Sequence, residues 1–321
     1  MTIEILMVIG FCLAAYSIVG NDVPQTLGTF ISSNSHRPWW LLWIYISTIL
    51  VVVLIYGWYS SGVGDASYGR LETIPFPEGG ITWLYVVPPL LLILLTKYGI
   101  PVSTTFLVLT IFSPSSLGSM LTKSMMGYAV AFFAAIIIYR FVVNKLSVYF
   151  SETRDQQHSR LWVALQWLST AFLWSQWLIQ DLANIFVYVP RQVPFEFLLF
   201  AISVFVLLLG VILYQRGGAI QNIVDTKTGV TDVRAATIID FMYALILLVF
   251  KEWSNIPMST TWVFLGLLAG REFAMSMLIN EVNKHRTSRN VSKDAMKLML
   301  GLAISIFLAT TLPWFYNLIS G

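Results

Sequence analysis

Charge and cysteine are what this chain has least of. A single cysteine, Cys12, excludes an internal disulfide and a thiolate metal cluster. The three histidines, His36, His158 and His285, fall in connecting segments, and no pair has metal-ligand spacing. Charged residues make up 11% of the chain, against about a quarter in a soluble globular protein. A net charge of +3 gives no reason to expect a nucleic-acid partner. No nucleophile–base pair or metal-ligand set stands out within the apolar runs, so the chain does not read as an enzyme and no organic cofactor is expected.

What replaces charge is apolar surface. The chain is 57% hydrophobic with a mean hydropathy of +0.75. Runs close to the ~20 residues that span a bilayer recur along it. They fall at about 3–20, 39–59, 81–98, 102–121, 125–149, 161–178, 194–215, 235–251, 260–281 and 295–318. This predicts an all-α integral membrane protein with about five crossings in each half. The first run carries Glu4, no basic start and no small-residue cleavage pattern, so it reads as a retained helix. With no targeting segment in view, the expected location is a plasma membrane, such as a bacterial inner membrane.

Five crossings per half is odd, so the second half should insert upside down relative to the first. With the N-terminus outside, the inner connections are 33–38, 97–101, 140–160, 216–234 and 284–297. They hold 14 Lys or Arg residues, against four outside: Arg70, Lys123, Arg191 and Lys251. The positive-inside rule therefore places both termini outside. The outer connection 61–80, rich in Gly and Pro, reads as irregular.

Two polar motifs occur twice. Ile100-Pro101-Val102-Ser103-Thr104-Thr105 returns 156 positions later as Ile256-Pro257-Met258-Ser259-Thr260-Thr261. Asn21-Asp22-Val23 corresponds to Gln180-Asp181-Leu182. Polar residues beside apolar runs are costly and mark function, and a repeated pair suggests a transporter built from internal repeats, residues 1–155 and 156–321. Proline suits the first turn of a helix. Ser103, Thr104, Thr105, Ser259, Thr260 and Thr261 would then gather hydroxyls and backbone N–H groups at two helix starts, where the dipole favours an anion. Simple capping of each helix is the plainer use of the same residues.

The other pair supplies oxygen. Asp22 and Asp181 are carboxylates at membrane depth. Asn21 with Gln25, and Gln180 with Asn184, place amides four residues apart, on one helical face. Gly20 and Pro24 argue for a broken helix, which would free carbonyls as well. Carboxylate and amide oxygens make a hard site, suited to Na⁺ at Asp22 and Asp181. Proton carriage by the aspartates, and an interhelical hydrogen-bond knot, are the other uses of such residues.

These motifs resemble those of the inorganic phosphate transporter family, the sodium- or proton-coupled PiT carriers. That family carries Gly-Ala-Asn-Asp-Val-Ala-Asn-Ala in each half, with Pro-Val-Ser-Thr-Thr downstream. Gly20 to Thr26 and Gln180 to Asn184 match the first motif, and Pro101 to Thr105 and Pro257 to Thr261 the second. The resemblance implies an inverted-repeat carrier, homodimeric, with an oxyanion between the two Ser-Thr-Thr segments and Na⁺ or H⁺ as the coupling ion near the Asn-Asp motifs. This chain differs by carrying Gln25, Gln180, Val187, Phe106 and Trp262 where the family has Asn, Asn, Gly and often His. Phosphate and sulfate both fit hydroxyl donors. Retention of both aspartates favours phosphate, which when protonated can donate a hydrogen bond to Asp22 or Asp181, whereas sulfate cannot. An anion channel is the alternative of another class.

Three further groups stand out. Asp240 is expected on the ion path or paired with a basic residue such as Arg234. Arg271 and Glu272 read as a local ion pair or a gate. The tryptophans, among them Trp39, Trp40, Trp43, Trp253 and Trp314, read as an interfacial belt.

Overall fold

The computed structural model describes residues 2–61, 64–98, 100, 102–140, 160–218, 220–221, 233–278, 296, 299–308, 310–312 and 314. The described residues form helices and connections, with no strand among them. In chain order these are α1 (Thr2–Ser33), α2 (Trp39–Ser60), α3 (Trp83–Lys97), a π-helical turn (Thr105–Leu109) running into α4 (Thr110–Phe112), α5 (Leu117–Ile138), α6 (Arg160–Asp181), α7 (Ala183–Phe186), α8 (Phe195–Tyr214), α9 (Val233–Trp253) and α10 (Thr260–Leu278). The expected connections 140–160, 216–234 and 284–297 lie wholly or mostly outside the described residues, as does the junction of the two proposed repeats.

Among the described residues, five helices are long and apolar enough to cross a membrane: Ile5–Ser33, Trp39–Ser60, Pro114–Ile138, Phe195–Tyr214 and Val233–Trp253. Their outward faces carry large apolar side chains, including Val52, Tyr56, Phe133, Leu207 and Val249. Such a surface suits lipid rather than water. Observed bounds follow the expected runs closely for α2, α3, α6, α8 and α9.

Two expectations are corrected. The run 102–121 is not one crossing. Its helix ends at Phe112, Ser113 and Pro114 break it, and the next helix starts there. At 1.5 Å per residue, the stretch from Thr105 to Phe112 is about 12 Å long, well short of a ~30 Å hydrocarbon core. Nor do Gly20 and Pro24 break α1, which is helical from Thr2 to Ser33 with Pro24 inside. The interruption falls in the second copy instead, where Leu182 separates α6 from α7.

Helix α1 packs on α3 and α8, α2 on α6 and α8, α6 on α9, and α5 along α10. The α5–α10 seam is close. A Cβ added at Gly266 would meet the Tyr128 carbonyl at 2.5 Å, and one at Gly270 the Phe132 carbonyl at 2.2 Å. Small residues let backbones approach in this way. Trp174 and Trp177 stack at 4.8 Å in the core rather than at an interface, and Trp43 donates to the Val206 carbonyl at 2.8 Å. Trp40, Trp253 and Trp314 are exposed, as a belt requires.

The connections sort into two groups. Arg216 donates to the Arg37 carbonyl at 2.8 Å, joining two connections assigned to the inner side. On the other side, Val193 N–H donates to Gly64 and Arg191 to Ile74, while Lys123 donates to Ser254 and Ile256.

Candidate functional site: the paired Ser-Thr-Thr and Asn-Asp motifs

All twelve expected site residues are at most 5% exposed, and the fold brings them into one buried network. The two Ser-Thr-Thr segments touch. Ser103 Oγ accepts from the Phe106 N–H at 3.3 Å, and Ser259 Oγ accepts from the Trp262 N–H at 3.3 Å. Each serine thus caps its helix start in the N3 manner. Pro257 lies ahead of the cap, outside the first helical turn where the sequence suggested it, and Pro101 is outside the described residues.

The threonines cross over. Thr105 donates to the Met258 carbonyl at 3.2 Å, and Thr261 to the Val102 carbonyl at 3.4 Å. The exchange is reciprocal, each segment satisfying the carbonyl just before the other's serine. Phe106 and Trp262 pack edge to face at 5.4 Å directly behind. Thr104 turns away and donates to Asp22 at 2.9 Å, while Thr260 faces Asp181.

Around these hydroxyls sit the Asn-Asp motifs. Asn21 donates to Asp22 and to the Val102 carbonyl at 2.9 Å. Asn184 donates to Asp181 at 2.8 Å, Thr104 at 3.1 Å and Thr105 at 3.3 Å. The second half's amide therefore holds the first half's threonines. Gln25 donates to the Asn21 carbonyl, and Gln180 to that of Leu247. What remains is a set of four buried oxygens with no hydrogen-bond partner: Gln25 Oε1, Gln180 Oε1, Asp181 Oδ2 and Asn184 Oδ1. Each belongs to a residue the sequence marked as a cation ligand. Buried acceptors are rarely left unpaired, so these oxygens are placed to accept from a donor or to hold a cation.

Sequence reading passed over several participants. Tyr243 donates to the Thr260 carbonyl at 2.9 Å, and Ser124 accepts the Ser259 N–H at 2.9 Å. Both sit in apolar runs where a single hydroxyl carries little signal. Lys123 donates to the Ser254 and Ile256 carbonyls at 2.6 and 2.7 Å, at the approach to the second motif. Arg70, counted only as a loop charge, is 1% exposed and donates to the Ile256 carbonyl at 3.4 Å. Asp240 is met by hydroxyls, from Thr29 on α1 and from Thr170 on α6 at 2.7 Å. Arg271 lies over the Tyr139 ring at 5.6 Å.

No protein-family model and no curated protein matches the chain. Among solved structures it is similar to a chain described as the sodium-dependent phosphate transporter. The likeness covers 99% of this chain and 100% of that one, with a TM-score of 0.64 and 16% identity. The two share a fold, a bundle of helices. An all-helical membrane fold is what the apolar runs had suggested.

Proposed function

We propose that this chain is a secondary transporter that carries inorganic phosphate across a membrane, driven by Na⁺. The observation that carries the reading is the set of four unpartnered oxygens on the Asn-Asp motifs, set against two crossed Ser-Thr-Thr helix starts. A similar fold in a sodium-dependent phosphate transporter supports it.

Coupling follows from the geometry. Thr104, Thr105 and Thr261 give their hydroxyl protons to protein acceptors. An oxyanion must take over some of these bonds, and Thr104 would bring it within one hydroxyl of the Asp22 carboxylate. Two like charges about 4 Å apart repel by roughly 4 kcal/mol at an effective dielectric of 20. A cation held by Asp22 or Asp181 turns this repulsion into attraction. Anion and cation then bind with a shared coupling energy, which must be reciprocal.

In this reading residues 1–155 and 156–321 are inverted repeats, both termini lie outside, and the chain works as a homodimer in a plasma membrane. Alternating access moves the repeats about the crossed motifs. Purified protein in proteoliposomes should take up labelled phosphate when a Na⁺ gradient is imposed. Sulfate uptake, or uptake driven by a proton gradient alone, would reassign the substrate or the ion. Passive, unsaturable flux would mark a channel.

A further inference from the structure

Arg70 lies in the connection between α2 and α3, yet it is buried to 1% exposure. Its Nη1 makes one long bond, 3.4 Å, to the carbonyl of Ile256, the first residue of the second Ile-Pro-x-Ser-Thr-Thr motif. Its Nε and Nη2 are buried with no hydrogen-bond partner. A guanidinium carries five donors in a fixed fork, and burying it half-used is costly. Burial lowers its pKa to about 10, with Asp181 and Glu252 pulling the other way, so it stays cationic at neutral pH. Lys123, on which the Arg70 charge acts, donates to the same carbonyl at 2.7 Å. Neither is within ion-pair distance of a carboxylate among the described residues. Two buried basic side chains thus converge on the start of the second motif.

Resting on the transport reading above, we infer that Arg70 is an oxyanion-binding residue: its free Nε and Nη2 take two oxygens of the tetrahedral anion at the Ile256 end of the crossed motifs. The fork matches a phosphate edge in a way a lysine does not. The second motif's helix start and the guanidinium then hold the anion from one side, and the hydroxyls of Thr104 and Thr105 hold it from the other. Arg70 also acts electrostatically on Asp181. The rival role for it is therefore that of a fixed counter-charge to the cation site.

The test is titration of wild type, Arg70→Gln and Arg70→Lys with inorganic phosphate in saturating Na⁺, and with Na⁺ in the absence of phosphate. Loss of a pair of charge-assisted bonds should raise the phosphate Kd of Arg70→Gln about tenfold to a hundredfold. The Na⁺ Kd should stay the same or fall. Arg70→Lys keeps the charge and loses the fork. It should show a smaller rise in phosphate Kd, and it carries the test if the glutamine variant does not fold. An unchanged phosphate Kd in a folded variant overturns the assignment while the transport reading stands. A tighter Na⁺ Kd with phosphate unaffected does so too, marking Arg70 as a counter-charge. If wild type itself binds no phosphate, the transport reading falls and this assignment with it.

Discussion

Asn184 donates its side-chain amide to Thr104 at 3.1 Å, across 80 positions of sequence. A residue of the second Asn-Asp motif thereby fixes a hydroxyl of the first Ser-Thr-Thr motif, and the same amide also reaches Asp181 and Thr105. Residues proposed to hold the cation in one half and the anion in the other thus form a single network. Asn184→Ala should therefore impair both ligands together. A loss of at least about tenfold in uptake is expected from hydrogen bonds to a charged group. Half-saturation should rise for Na⁺ and phosphate alike. A rise for only one of them in proteoliposome uptake would show that the two sites are not joined through this amide.

The two aspartates are not equivalent. Both Asp22 oxygens already accept hydrogen bonds, from Asn21 and Thr104, whereas Asp181 Oδ2 accepts none. Asp22→Asn and Asp181→Asn should each abolish Na⁺-driven uptake in protein that still elutes as a folded species. Na⁺ titration should separate them, with the larger loss of affinity in Asp181→Asn. Normal uptake by both variants would refute the cation assignment.

Much of this was legible beforehand, for a physical reason. Hydropathy reports which segments leave water, so α2, α6, α8 and α9 fell where the apolar runs placed them. A run does not report where a helix stops inside the membrane. Ser113, Pro114, Ser115 and Ser116 punctuate 102–121, in a polar dip too short to end the apolar run. Pro24 misled in the opposite direction. It removes one N–H from α1, and the helix absorbs that loss while Gln25 donates to the next carbonyl, that of Asn21. The duplicated motifs were readable because both copies survive in sequence. Arg70 was not, because the burial of a loop arginine depends on α5 and on the approach to α10, neither of which is local to it.

Backbone contact along α5 and α10 gives a stability prediction. Gly266 and Gly270 are four apart on α10 and face the carbonyls of Tyr128 and Phe132. Alanine at Gly270 would place its Cβ 2.2 Å from backbone that cannot rotate away. The helices must separate, at a cost of about 1–3 kcal/mol. Gly118, with nothing within 4 Å of an added Cβ, is the control. Alanine there should be neutral or stabilising by up to about 1 kcal/mol, from helix propensity. Thermal unfolding in detergent checks both. Equal Tm values for Gly270→Ala and Gly118→Ala would show that the seam is looser than drawn.

Asp240 ties three helices. Its oxygens accept from Thr29 on α1 and Thr170 on α6, while its own backbone belongs to α9. All three side chains are buried. Removing one partner of such a set leaves the others desolvated and unpaired, whereas replacing all of them by apolar groups of similar shape is nearly neutral. Asp240→Ala alone should therefore lower stability by about 1–3 kcal/mol for the stranded hydroxyls. The triple variant Asp240→Leu, Thr29→Val, Thr170→Val should recover most of that loss. Recovery would establish that the three groups serve one another. If the triple variant regains stability yet loses Na⁺-driven uptake, Asp240 also lies on the route of the ion. If it regains both, the carboxylate is a fastening between helices and nothing more. If stability does not return, the three side chains do not act as one unit, and the carboxylate answers to another partner.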